Sequence, residues 1–299
     1  VGSLAIHRHD GLAAADLAMR SRVVFASGPM LAEAELVVSV PRDDAIVLGA
    51  FQRASEVSSD LPFVRRGSGG AACRVGPGSV WVQMFFSSLD VTPDKILNRL
   101  VRPLLRALTK SGAHAHYFGR DWVSVEHRPA AAVAFGHVAS PQRIVFEAIV
   151  AAQTPFALGA RPSFLGKEPL LLDIDAARAA DAIAESYASL ATEITRAPRG
   201  EMANPESGVD DDPPWSATRE EAIGTIAAGA DRNGKLRFGG ELMASRDAMA
   251  KLEERVASLP ADEAAIGAAV DETLTAPGVT VFGVKSLASI RDVILAAKR

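Results

Sequence analysis

The segment RRGSGGAACRVGPGSVW, residues 65–81, gathers two adjacent arginines, a third arginine, five glycines and the only cysteine of the chain. Glycines without side chains let backbone N–H groups converge on a phosphate or carboxylate, and arginines supply the compensating charge, so the segment can act as an anion cradle. A thiolate at Cys73, near Arg65, Arg66 and Arg74, would have a lowered pKa and could accept an acyl group. The plainer alternatives are a tight strand connection with exposed arginines, and a Cys73 that is a small buried residue of a strand.

Two further clusters have chemistry-bearing types. His7 and His9, and likewise His114 and His116, are spaced two apart, which puts both imidazoles on one face of a strand. With no third and fourth ligand identifiable, no metal is expected there. Asp210–Asp212 reads as a solvated run in a linker, able at most to hold Mg²⁺ loosely.

The elements that must position these residues are legible as alternating patterns. Residues 11–26 are expected to form a helix behind the capping type Asp10, and AELVVSV and DAIVLGAF to form two strands around the polar turn PRDD. SVWVQMFF is a strand, followed by a helix over residues 91–112 with Thr92 as cap, Pro93 in the first turn, a kink at Pro103 and a stop at Gly112. HAHYF, WVSVEH, AAAVAF and RIVFEAIVA read as four strands of a mostly antiparallel sheet, and residues 173–195 as a long alanine-rich helix. Periodicity then disappears into a Pro, Gly and acidic linker at residues 201–215, separating residues 1–200 from a small module at 216–299. In that module, SATREEAIGTIAAGA divides into a polar lead and a strand. A DRNG turn and the strand KLRFGGELMA follow, then three helices, the last capped by Ser286.

Composition bounds the function classes. The chain has 299 residues, 48% hydrophobic and 23% charged, which suits a globular protein with a sizeable core. A net charge of −4 with 32 scattered basic residues argues against a general nucleic-acid binder. One cysteine makes no internal disulfide, and no apolar run reaches the ~20 residues needed to span a bilayer, so neither a membrane partner nor an oxidising compartment is expected and the cytoplasm is.

The motifs carry a resemblance. VRRGSGGAACRVGPGS resembles the RR-x-SGGGA-x-x-x-x-x-G motif of lipoate protein ligases, of the biotin and lipoyl ligase and transferase superfamily. DAIVLGAFQRASEV resembles the family's V-x-x-GRFQN at Gly49, Phe51 and Gln52, with Ala50 in place of arginine, and GRDW resembles its N-D-L step at Asp121. GPG at residues 76–78 is similar to the HGPGQ corner of octanoyl transferases, with Val75 where those carry histidine. Residues from about 216 onward resemble the small C-terminal ligase domain in element order and in a K-x-K/R-x-x-G pattern.

The resemblance implies an α+β, class II synthetase-like catalytic domain with a mainly antiparallel sheet flanked by helices, and a small α/β C-terminal domain. It implies an apolar tunnel for lipoate or octanoate, an acyl adenylate made from ATP and Mg²⁺, and transfer to a lysine of a lipoyl carrier domain. Gln52, Arg66, Ser68, Gly69, Gly70, Ala71 and Asp121 would line that site.

Departures from the family pattern fall at the chemistry. The catalytic lysine of G-R-K-x-x-G-S-A-Y/F becomes Pro129, which supplies neither charge nor donor, and Arg128 is the possible substitute. The H-G-T-L-L strand becomes FEAIV, with Phe146 for histidine and Glu147 for glycine. Three readings follow: an ATP-dependent ligase using Arg128 or a loop lysine such as Lys167, a non-catalytic binding or regulatory protein on the ligase fold, and a Cys73-dependent acyl transferase.

Overall fold

The computed structural model describes residues 2–26, 30, 32–88, 92, 95–196, 209 and 212–299. Its centre is an eight-stranded sheet in the order β11-β1-β2-β6-β10-β9-β8-β7. The strands are β1 (Ser3–Leu12), β2 (Ala34–Pro41), β6 (Val80–Phe86), β7 (Ala115–His116), β8 (Trp122–Val125), β9 (Arg128–Val138), β10 (Arg143–Val150) and β11 (Glu193–Arg196). Pairing is antiparallel from β2 through β7, while β1 runs parallel to both β2 and β11. A fold of mixed α+β type with a large, mainly antiparallel sheet is the expected one.

Alternation along the central strands sorts side chains between two faces. Val82, Met84, Phe146 and Ala148 face the helices α2 (Ile96–Lys110) and α3 (Ala176–Ala188), which bring Leu100, Leu104, Ile183 and the buried Tyr187. Tyr187 Oη and Ser186 Oγ donate to the carbonyls of Leu100 and Pro103, tying α3 to the helix turn that contains the proline. Trp81, Phe85, Val145 and Ile149 face the other way, against α1 (Ala14–Ala26) and a three-stranded sheet, β4-β3-β5. That sheet is made of β3 (Ala45–Leu48), β4 (Phe63–Arg65) and β5 (Cys73–Val75). The glycine-rich segment is the connection from β4 to β5.

The C-terminal part forms its own core. The strands β12 (Ala217–Glu220), β13 (Thr225–Ala230) and β14 (Leu236–Gly240) make an antiparallel sheet, and β15 (Met243–Ala244) pairs with β16 (Val281–Phe282). Helices α4 (Arg246–Ala257), α5 (Glu263–Leu274) and α6 (Leu287–Ala297) pack on them.

Several boundaries differ from the sequence expectation. Asp10 lies within β1, and α1 starts at Ala14, whose N–H donates to Asp43 in the PRDD turn, a cap supplied from 29 residues away. Thr92 is not the cap of α2, which begins after Lys95, and Pro93 lies outside the described residues. HAHYF forms only the two-residue β7. The alanine-rich helix stops at Ala188, and the β-branched EITR forms β11, because a parallel edge beside β1 is there to receive it. The polar lead of SATREEAIGTIAAGA is itself β12. Of the expected linker, residues 201–208, 210 and 211 lie outside the described residues. No described helix is long and apolar enough to cross a membrane.

Candidate functional site

One backbone amide of the glycine segment, that of Ser68, meets the carboxyl of a buried side chain, Glu147. Glu147 lies on β10 between Val145 and Ile149 and directly opposite Gln83 of β6 and Ala134 of β9, so strand alternation aims its carboxyl at the β4–β5 connection. It is 2% exposed. Oε2 accepts from the backbone N–H of Ser68 at 3.0 Å and from Ser21 Oγ at 2.9 Å. Oε1 accepts from Trp81 Nε1 and Gln83 Nε2, both at 3.1 Å. Four donors around one buried carboxyl meet the requirement that a group of this kind, once removed from water, be fully hydrogen-bonded.

Three further amides of the loop also have partners within the protein. Gly67 N–H donates to Ser21 Oγ at 2.7 Å, Gly69 N–H to Phe135 O of β9 at 3.0 Å, and Gly70 N–H to Leu242 O of the C-terminal part at 2.9 Å. The glycines are needed for these close backbone approaches. A Cβ on Gly69 would stand 2.4 Å from Leu242 O, and one on Gly49 2.0 Å from Gly70 O. Glycine here brings chain against chain rather than chain against phosphate.

Arg66 is buried at 3% exposure and is turned inward on the loop. Nε donates to Ser68 Oγ at 2.9 Å, and Nη2 donates to Gly69 O at 2.6 Å and Ala71 O at 2.9 Å. The void shared by Arg66, Ala132, Val133, Ala134, Glu147 and Ile149 measures about 10 Å³, room for no more than one water. Gln52 is also buried, with Oε1 accepting from Gly49 N–H at 3.0 Å.

Asp121 is brought near the loop through β9, since its carbonyl accepts from Val133 N–H at 2.9 Å. Its carboxylate, 3% exposed, pairs with Arg161 at 2.9 Å, and Arg161 Nη2 also donates to Ile223 O of the C-terminal part at 2.7 Å. Burial works against the Arg161 cation, but Asp121 and Glu241 beside it more than offset this and hold the guanidinium above its ordinary basicity. Arg161 was not singled out in the sequence. It lies in an irregular stretch where neither periodicity nor motif marks it.

Arg128 and Cys73 are placed differently. Arg128 starts β9, six residues from Ala134 and so roughly 20 Å from it along an extended strand. Its guanidinium donates to Glu168 O at 3.0 Å and Pro169 O at 2.7 Å, fastening the loop that crosses the strand's end. Pro129 pairs with Ser124, and its carbonyl accepts from Leu170 N–H at 2.7 Å. Cys73 is 1% exposed, and burial pushes its thiol up despite Arg66 and Arg161 nearby, away from the thiolate that a nucleophile needs. No lysine lines the void beside Arg66. Lys167 lines a separate pocket of about 230 Å³ with Phe118, Arg120, Trp122, Ser124, His127 and Leu165.

His7 and His9 stack with ring centroids 6.1 Å apart, buried on β1. Among the described residues no three His, Cys, Asp or Glu side chains come together as a metal-binding group. Asp212 accepts from Arg232 N–H at 3.1 Å, while Asp210 and Asp211 lie outside the described residues.

The large, mainly antiparallel sheet flanked by helices, with the small sheet, α1 and the glycine-rich loop on one face and the C-terminal part resting on that loop, has the fold of solved lipoate protein ligases. The P. falciparum LipL1 in complex with lipoate is similar over 98% of this chain and 99% of its own, at 12% identity and a TM-score of 0.58. A lipoate-protein ligase A bound with ATP is similar over 67% of this chain and 90% of its own, at 13% identity and a TM-score of 0.53. A bipartite lipoate protein ligase from Thermoplasma acidophilum is similar over 68% and 87%, at 14% identity and a TM-score of 0.52. No protein-family model and no curated protein matches the sequence.

Proposed function

We propose that this protein keeps the lipoate-ligase fold as a non-catalytic binding or regulatory scaffold, with the acyl-adenylate site closed by its own Glu147. The observation that carries this reading is the set of four hydrogen bonds to the Glu147 carboxyl. A lipoyl or octanoyl carboxylate, or the phosphate of its adenylate, would compete for the Ser68 amide that Glu147 already occupies. A second anion beside that buried carboxyl would be repelled unless a cation came with it. Arg66 has its hydrogen bonds on loop carbonyls, and Pro129 offers no charge. ATP, Mg²⁺ and a medium-chain acid therefore do not fit the loop as it is built, and no acyl-transfer step is assigned to it.

The test is transfer of labelled lipoate or octanoate to a lipoyl carrier domain in the presence of ATP and Mg²⁺, with AMP release followed in parallel. The expected result is neither labelled carrier nor AMP above background. Transfer at the rate of an ordinary ligase would overturn the reading. One observation favours the active alternative, namely that Lys167 lines the same pocket as Trp122, next in sequence to Asp121. Were transfer seen, its loss in Lys167→Ala would assign the charge to that lysine. Its survival in Cys73→Ala would exclude the thiol route.

A further inference from the structure

The cleft between the β3–β4 region and the C-terminal part contains charge that the described residues do not neutralise. It measures about 440 Å³ and is lined by five arginines, Arg22, Arg53, Arg65, Arg237 and Arg246, against two carboxylates, Asp212 and Glu253. Three of the arginines are accounted for. Arg53 lies 3.6 Å over the Trp215 ring and donates to Pro213 O at 2.6 Å. Arg65 donates to Gly49 O and Gln52 O. Arg237 pairs with Asp231 at 3.0 Å and with Glu253 at 2.9 Å, which also takes up the one carboxylate contributed by α4.

Arg22 and Arg246 differ from these. Among the described residues neither makes a hydrogen bond or an ion pair, and both line the cleft, Arg22 from α1 and Arg246 from the first turn of α4. Arg246 is held by its ring contact with Phe25, 5.5 Å from guanidinium carbon to centroid. Burial, and then the Arg22 cation, lower its basicity. The helix end adds to this potential, because the side chain of Ser245, at the N-cap, contacts His137 Nδ1 at 2.8 Å and accepts from Thr280 N–H at 3.1 Å instead of capping α4. Two like charges lining one concave cleft are a cost to the empty protein that one dianion between them would reverse.

We propose that this cleft binds a phosphoryl-bearing small molecule, with its phosphate held between Arg22 and Arg246. The cleft's volume suits a small ligand, and Phe51, Trp215 and Phe238 line it beside the arginines. Because the two arginines belong to different parts of the chain, the bound anion fastens the C-terminal part onto the body that carries the glycine loop. The site is separate from the Glu147 cradle and does not depend on whether that cradle is catalytic.

The experiment is calorimetric titration of the full chain with inorganic pyrophosphate at constant ionic strength, alongside thermal denaturation. Wild type is expected to bind one pyrophosphate with a sub-millimolar Kd and to gain thermal stability. Arg22→Gln and Arg246→Gln are each expected to weaken binding at least tenfold while melting, without ligand, no lower than wild type. Lys251→Gln, an exposed change on the same helix, should bind as wild type does. Binding by both arginine variants within twofold of wild type overturns the proposal. So does the absence of wild-type binding below 10 mM, or binding of a poly-glutamate peptide with no response to pyrophosphate.

Discussion

The backbone amide of Ser68 donates to Glu147 Oε2 across 3.0 Å and 79 residues of sequence, joining the glycine loop to the central strand of the sheet. This contact makes the glycine segment an internal joint of the protein. The Glu147 carboxyl fills the space beneath the loop, and Trp81, Gln83 and Ser21 turn their donors to meet it.

Glu147→Leu should therefore destabilise strongly, because it leaves four donors in a dry site without an acceptor. Each orphaned donor costs about 1–3 kcal/mol before relaxation, so a total loss of at least ~3 kcal/mol is expected. Glu147→Gln keeps the size and one acceptor oxygen and should lose less than half as much. Urea denaturation of the two variants checks the ordering, and equal losses would show that packing, rather than the hydrogen-bond set, holds the joint.

Gly69→Ala tests the second half of the joint. Its Cβ would lie 2.4 Å from Leu242 O, a backbone atom that cannot rotate away, so the C-terminal part must shift off the loop. Overpacking of this kind costs roughly 1–3 kcal/mol, and limited proteolysis should cut between the loop-bearing body and the C-terminal part sooner than in wild type. Gly112→Ala is the control. Its φ of +95° carries backbone strain, yet nothing lies within 4 Å of the added carbon, so stability should fall without faster cleavage at that junction.

Much of this was readable beforehand, and the part that was not has a physical cause. Strand alternation in RIVFEAIV already sets Val145, Glu147 and Ile149 on one face, and the glycine run already marks a close approach. What it approaches cannot be read from it. An amide cradle looks the same in sequence whether its anion is a ligand or a side chain 79 residues away. Arg161 was missed for a related reason, since a loop arginine gains its meaning only from the buried Asp121 that the fold brings beside it. Arg22 and Arg246 likewise come to line one cleft only through the fold, with no local pattern in either helix.

The buried His7 gives the protein a defined acid sensitivity. Burial, and then the Arg20 cation, depress its pKa from 6.5 to about 4. In the unfolded chain the imidazole takes up its proton as pH falls through 6.5, whereas the folded protein resists until about 4. The unfolded state thus binds more protons throughout that window, and stability is lost as pH drops from 6.5 toward 4, by roughly 3 kcal/mol in all. His7→Gln should flatten the pH dependence of unfolding free energy between those limits, and an unchanged slope would assign the acid sensitivity to other groups.

Asp121 and Arg161 can be separated into structural and ligand-facing roles by a double-mutant cycle. Arg161→Gln leaves the Asp121 carboxylate buried without its partner, a loss of about 3–5 kcal/mol, and it also removes the donor to Ile223 O. Asp121→Asn strands the cation in the same way, although Glu241 nearby softens the loss. The double variant removes both charges and should be more stable than the sum of the single losses predicts, by at least ~1 kcal/mol. A side chain kept for a ligand rather than for the fold would show no such coupling, and Asp121→Asn would then leave denaturation unchanged. Coupling of the expected size would make this pair, beside the Ser68–Glu147 hydrogen bond, a second buried polar contact that serves the fold.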